Sequence, residues 1–121
     1  MDADFRESGA AMGSPREGGS VTLTETSEPP GLSVAGVLDL PDVEPFIKAL
    51  EGVAEHASGD VSVDFRGLRA ACTEAMLALV RAARRLSADD RRLIARSLPS
   101  PQRQLLALAR WDRAPGLVVT D

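Results

Sequence analysis

Few side chains in this 121-residue chain stand where chemistry could be done with them. Cys72-Thr73-Glu74 sets a thiol, a hydroxyl and a carboxylate at consecutive positions just before a run of helical periodicity. A helix N-terminus carries free N–H groups and the positive end of the helix dipole, so an oxygen acceptor or an anion is favoured there. A phosphate on the Thr73 hydroxyl would gain both and would add about two negative charges to a contact surface. A plain N-cap threonine accounts for the same residue equally well. Cys72, in the run Ala70-Ala71-Cys72, reads as a small packed residue rather than a reactive thiolate. Upstream, Asp39, Asp42 and Glu44 crowd one helix start, where capping explains carboxylates better than an acid–base pair does. His56 is the only histidine, and no second His or Cys is placed to share a metal with it. The sequence has no phosphate-cradling Gly-rich loop and no nucleophile–base arrangement. A non-enzyme with no cofactor and no metal is expected, its function centred on Thr73.

The elements that must position Thr73 follow from periodicity. Val61, Val63 and Phe65 alternate with Ser62 and Asp64, predicting a strand with one buried face that Arg66-Gly67 breaks. Met76, Leu79, Val80, Ala83 and Leu86 then recur at three- and four-residue spacing, predicting a helix from Thr73 to Leu86 with Arg81, Arg84 and Arg85 on its other face. Before this stretch, Val21–Glu25 and Leu32–Leu40 read as two strands pairing as a hairpin across Glu28-Pro29-Pro30-Gly31, a loop too long for a tight turn. Asp42 caps a helix whose stripe is Val43, Phe46, Ile47, Leu50, Val53 and Ala57, stopped by Ser58-Gly59. After it, residues 91–97 read as a third core strand, joined to the central one by a right-handed crossover. Ser100 N-caps a last helix with Pro101 at its first position and Leu105, Leu108 and Ala109 inside, and Trp111 closes the core edge. Leu117–Thr120 is a final strand. The order strand, strand, helix, strand, helix, strand, helix, strand predicts an α/β fold, a mixed sheet with helices covering one face.

Composition bounds the partners. Residues 1–20 are rich in Gly, Ala, Ser and charge without period, and are expected to be a disordered tail ahead of one domain over residues 21–121. A net charge of −4 and a pI near 5.0 argue against nucleic acid. The charge is uneven. Residues 1–60 hold 12 acids against three cations, a net −9, while residues 61–121 hold 6 acids against 11 arginines, a net +5. Arginines of the Thr73 helix and Arg91, Arg92 and Arg96 would steer an acidic partner if they shared a surface; a solvated helix face is the plainer reading. One cysteine makes no internal disulfide, no apolar segment approaches the ~20 residues of a membrane span, and the N-terminus lacks a signal pattern. A cytoplasmic protein without membrane contact is expected. Thirteen arginines to one lysine match a GC-rich bacterial genome.

In element order and in its central stretch the chain resembles the STAS domains, in particular the bacterial anti-sigma-factor antagonists, over roughly residues 21–120. The resemblance rests on Gly36-Val37-Leu38-Asp39, like the family's Gly-x-Leu/Ile-Asp, and on Val61-Ser62-Val63-Asp64-Phe65 followed by Gly67-Leu68. Arg81-Ala82-Ala83-Arg84-Arg85-Leu86 and Ser100-Pro101 complete it in order and spacing. In the family the central strand leads into Asp-Ser-Ser/Thr-Gly-Leu, whose first Ser is phosphorylated by a partner anti-sigma kinase. Carried over by position, Cys72 stands at the Asp, Thr73 at the phosphoacceptor, Glu74 at the second hydroxyl, Ala75 at the Gly and Met76 at the Leu. Thr73 and Met76 alone keep the chemistry. The resemblance implies a STAS-like mixed sheet with helices packed on one face and a regulator of sigma factors acting in transcription. It also implies a partner-binding surface of Asp39, Cys72, Thr73, Glu74 and Met76, with Thr73 as candidate phosphoacceptor. The implied partner is an anti-sigma factor or serine/threonine switch kinase, with homodimerisation left open. Two alternatives stand beside it. Glu74 next to Thr73 partly imitates a phosphorylated state, which suits a divergent STAS scaffold that binds constitutively. A small-ligand binder would use a pocket beside Asp39 and Cys72.

Overall fold

Five strands and three helices follow one another in the expected order in the computed structural model, which describes residues 21–121. The tail expected over residues 1–20 lies outside the described residues. β1 (Thr22–Ser27) and β2 (Pro30–Leu38) form an antiparallel hairpin. Ser27 pairs with Pro30, so the connection is the two-residue turn Glu28-Pro29 and not the long loop expected. Apolar alternation stops at Leu23 and resumes at Leu32, yet the backbone ladder needs no apolar side chain and continues through Thr26 and Gly31. The Thr26 hydroxyl donates to the Pro29 carbonyl at 2.9 Å and holds the turn.

A 3-10 turn (Leu40–Asp42) leads into α1 (Val43–His56), whose Phe46, Leu50 and Val53 are buried. β3 (Val61–Ala71) pairs parallel to β2. It is longer than the expected strand because Arg66-Gly67 is a bulge and not a break. Ser33 and Ala35 face Asp64 and Gly67, so β3 carries one extra residue there, and a second between Leu68 and Ala70. Gly67 is needed at the first bulge, since a Cβ would come within 2.8 Å of the Ala35 Cβ. α2 (Thr73–Ser87) buries Met76, Leu79, Val80, Ala83 and Leu86, the stripe read from spacing. β4 (Leu93–Arg96), α3 (Ser100–Leu108), a 3-10 turn (Trp111–Arg113) and β5 (Leu117–Thr120) complete the chain.

The sheet order is β1-β2-β3-β4-β5, antiparallel at the first pair and parallel at the other three. Three consecutive crossovers step the same way along the sheet. Right-handed connection therefore puts α1, α2 and α3 on one face. The core lies between that face and the helices, from Val34, Val63, Phe65 and Ala95 to Phe46, Met76, Leu79 and Leu106. Gly116 turns the chain into β5 with φ +82 and packs against the Ala83 carbonyl of α2, where a side chain would have no room.

α3 differs from expectation in phase. Its N-cap is Pro99, which puts Ser100 and Pro101 one position further into the helix. Gln102 and Leu106 face the core, whereas Leu108 is 85% exposed and Ala109 is exposed. The apolar residues alone suggest a stripe through 105 and 108. The stripe that forms begins with a polar residue, Gln102, held by its amide to the Ala71 carbonyl.

Candidate functional site

The β2–α1 and β3–α2 junctions meet at the C-terminal end of the parallel strands, where open α/β sheets place their sites. The Cys72 N–H donates to the Leu38 carbonyl at 2.9 Å, so the residue before α2 is fastened to the last residue of β2. That single bond brings the Asp39 junction to the Thr73 junction, and the Leu40–Asp42 turn packs against α2.

Asp39 is committed to capping. Its Oδ1 accepts from the Leu40 N–H at 2.8 Å, and the Asp39 N–H donates to Asp42 Oδ2 at 3.0 Å in a reciprocal capping box. Asp42 is fully buried within it. Two carboxylates that satisfy backbone N–H groups in this way organise a turn, as capping chemistry predicts, and are not a free acid–base pair. Asp39 and Glu44 keep exposed side chains on the surface.

On the facing junction, Cys72 is the N-cap of α2, half-buried and without a side-chain capping bond. Thr73 is the first helical residue and is exposed, one position beyond the N-cap place considered for its hydroxyl. Glu74 follows, also exposed, in the first turn where the helix dipole favours its charge. The Ala75 and Met76 N–H groups return to the Cys72 carbonyl, so the turn is closed beneath the hydroxyl. Met76 is fully buried and supports the surface from below; a partner touching this face does not reach it. Asp39, Cys72, Thr73 and Glu74 are brought together at one end of the domain, and Met76 lies under them.

Two residues of this end escaped the sequence. Leu40 is 59% exposed, one of two large apolar side chains left open among the described residues. It continues the alternation of Leu32, Val34 and Leu38, so spacing alone reads it as one more inward strand residue, and only the turn that begins at Leu40 leaves it exposed. Gln102 reaches from α3 to the Ala71 carbonyl at 3.3 Å and ties a third helix to the Cys72 junction. Its Oε1 is buried with no partner, a cost of about 1–3 kcal/mol. Only the burial of a polar residue, invisible in periodicity, would have revealed it.

No group of three or more His, Cys, Asp or Glu residues among those described could hold a metal ion. Two clefts lie between α1 and α2, and neither Asp39 nor Cys72 lines them, although Glu74 borders the nearer one. The site's chemistry is that of a contact surface: an exposed hydroxyl at a 15-residue helix's N-terminus, flanking carboxylates and one protruding leucine.

Comparison with known proteins follows the same lines. A family model described as "Mlab, STAS domain" matches residues 21–120. Among solved structures, the anti-sigma factor antagonist SpoIIAA in its unphosphorylated form superposes with a TM-score of 0.62 at 16% identity, covering 84% of this chain and 88% of that one. The Bacillus cell fate determinant SpoIIAA in its phosphorylated form gives 0.60 at 17% identity, covering 84% and 92%. A Thermotoga maritima crystal structure gives 0.66 at 10% identity, covering 84% and 86%. No curated protein sequence matches.

Proposed function

The chain belongs to the STAS domain family, and from that premise we propose that it is a non-enzymatic regulatory module in sigma-factor control, binding an anti-sigma factor or serine/threonine switch kinase through the Thr73 face. The observation that carries this reading is the Cys72–Leu38 hydrogen bond, which brings the junction bearing the exposed Thr73 and the junction bearing the exposed Leu40 to the same end of the domain. An apolar anchor next to a modifiable polar group suits a switchable protein interface: the leucine supplies affinity, and a phosphate on Thr73 would change the charge met by the partner. The SpoIIAA structures are of an anti-sigma factor antagonist in unphosphorylated and phosphorylated forms, which makes a kinase of that class the partner to test first. No helix of the described residues is long and apolar enough to cross a membrane, which accords with action in the cytoplasm.

One observation favours a second reading, constitutive binding. Glu74 already holds a negative charge in the first turn of α2, and Cys72 replaces the family's Asp as N-cap. Mass spectrometry of the chain recovered from its own cells separates the two. A phosphothreonine at position 73, lost in Thr73→Ala, is expected for the switch. Its absence under every growth condition, with the partner still bound, would leave the constitutive module.

A further inference from the structure

α1 and α2 leave the same end of neighbouring parallel strands, so they run side by side in one direction over the sheet. Their outer surfaces enclose a groove. Near Thr73 it is a cleft of about 250 Å³ touching Val43, Ile47 and Leu77. Toward the helix C-termini it widens to about 690 Å³ and reaches down to Val61, Leu86 and Leu93 of the core. The two clefts share Leu50, Glu51, Ala82 and Arg85 and so form one channel. Its length from Val43 to Ala57 is about 21 Å at 1.5 Å per helical residue, four turns of a helix.

The floor is apolar and the walls differ in sign. Glu51 and Glu55 line the α1 side, and Arg81 and Arg85 line the α2 side, with Glu74 at one end and Asp89 and Arg91 at the other, the Arg91 guanidinium being held by the α1 C-terminal carbonyls. One ion pair, Arg85 to Glu51 at 3.1 Å, spans the channel, and its side chains are 62% and 51% exposed. An exposed pair of this kind contributes only about 0–1 kcal/mol. An occupant that offers its own counter-charges displaces it at little cost.

We propose that this groove docks an amphipathic helix of a protein partner, apolar stripe on the half-buried Ile47, Ala54, Leu77 and Ala82, Lys or Arg flank toward α1 and Asp or Glu flank toward α2. Length favours a helix over a compact small molecule, and the opposed walls fix its orientation by charge complementarity. The groove begins where the Thr73 face ends but makes no use of Thr73.

Selection from a library of random 18-residue peptides on the immobilised full chain tests the proposal, the binding of each enriched peptide then being measured on wild type and on the Glu51→Arg/Arg85→Glu double variant. The swap keeps opposite charges in contact at two exposed positions, and circular dichroism verifies its fold. Glu55→Lys, at an exposed position in no ion pair among the described residues, provides a second variant. The expected peptides carry apolar residues at helical spacing between a basic and an acidic flank. They bind wild type about tenfold more tightly than either variant, a difference of about 1.4 kcal/mol. A synthetic peptide with its flanks exchanged prefers the swap. Thr73→Glu leaves the binding unchanged, so failure of the Thr73 reading would not be confused with failure here. No enrichment, peptides lacking the pattern, or equal binding to wild type and variants would overturn the proposal. Self-association of the full chain that the swap abolishes would also overturn it, by assigning the groove to a second copy.

Discussion

Arg91 does more for the fold than its place before a strand suggests. Its Nε donates to the Gly59 carbonyl at 2.8 Å and its terminal nitrogen to the Ala57 and Ala54 carbonyls at 2.7 and 2.9 Å, so one guanidinium closes the C-terminus of α1. These are charge-assisted bonds, two of them to the Ala54 and Ala57 carbonyls at the end of α1, where helical partners run out. Arg91→Met is expected to lower unfolding free energy by about 2 kcal/mol in urea titration. Arg91→Lys should recover only part of it, because an ammonium does not reproduce the planar fork; full recovery by lysine would show that charge alone matters. Thr73 is a residue of the other kind. Its side chain is exposed, so Thr73→Ala should change stability by no more than about 0.5 kcal/mol in the same titration, and any effect on a partner is then an effect on contact. From spacing alone, Arg91 and Arg81 look alike; a tertiary partner 37 residues away distinguishes them.

At the scale of elements, legibility followed the strength of the period. α2 reads cleanly because five apolar positions repeat and each is buried, and β5 because Leu117–Thr120 is bounded by a Pro-Gly breaker and the chain's last residue. β3 was cut short because a bulge and a break look alike in a sequence: Gly67 serves close packing on Ala35 where a turn was expected. The hairpin turn differs from expectation because pairing runs past the apolar residues, and α3 differs because its inward stripe starts on a glutamine. The α3 phase can be checked directly. Leu106→Ala, at 1% exposure, should cost about 2–5 kcal/mol, whereas Leu108→Ala, at 85%, should stay within about 0.5 kcal/mol. Equal losses in thermal or urea unfolding would mean that the helix sits in the phase its leucines suggest. Asp39, Thr73 and Glu74 were legible as a site from their motif, while their neighbour Leu40 was not, since adjacency across two junctions rests on a backbone bond that leaves no trace in the sequence.

Over the whole molecule, folding brings charges of the two halves face to face, pairing Arg85 with Glu51 and Arg92 with Asp60. The acids of α1 and the arginines of α2 end as facing walls of one groove, and the Thr73 face opens at its end. Contacts made through such surfaces are steered by exposed charge, so association rates with a protein partner should fall as salt is raised while dissociation rates change less, which stopped-flow mixing would read. Rates insensitive to salt would place recognition on apolar contact alone. The central claim, that this STAS domain meets its partner at the Thr73 end, is tested most directly by calorimetric titration with an ATPase-fold anti-sigma factor of the same organism. Wild type and the exposed-surface control Leu108→Ser should bind alike, and Leu40→Ser and Thr73→Glu should each weaken binding by about tenfold or more, the loss of a single interface anchor. Equal affinity for all four chains, or no binding by wild type, would contradict it.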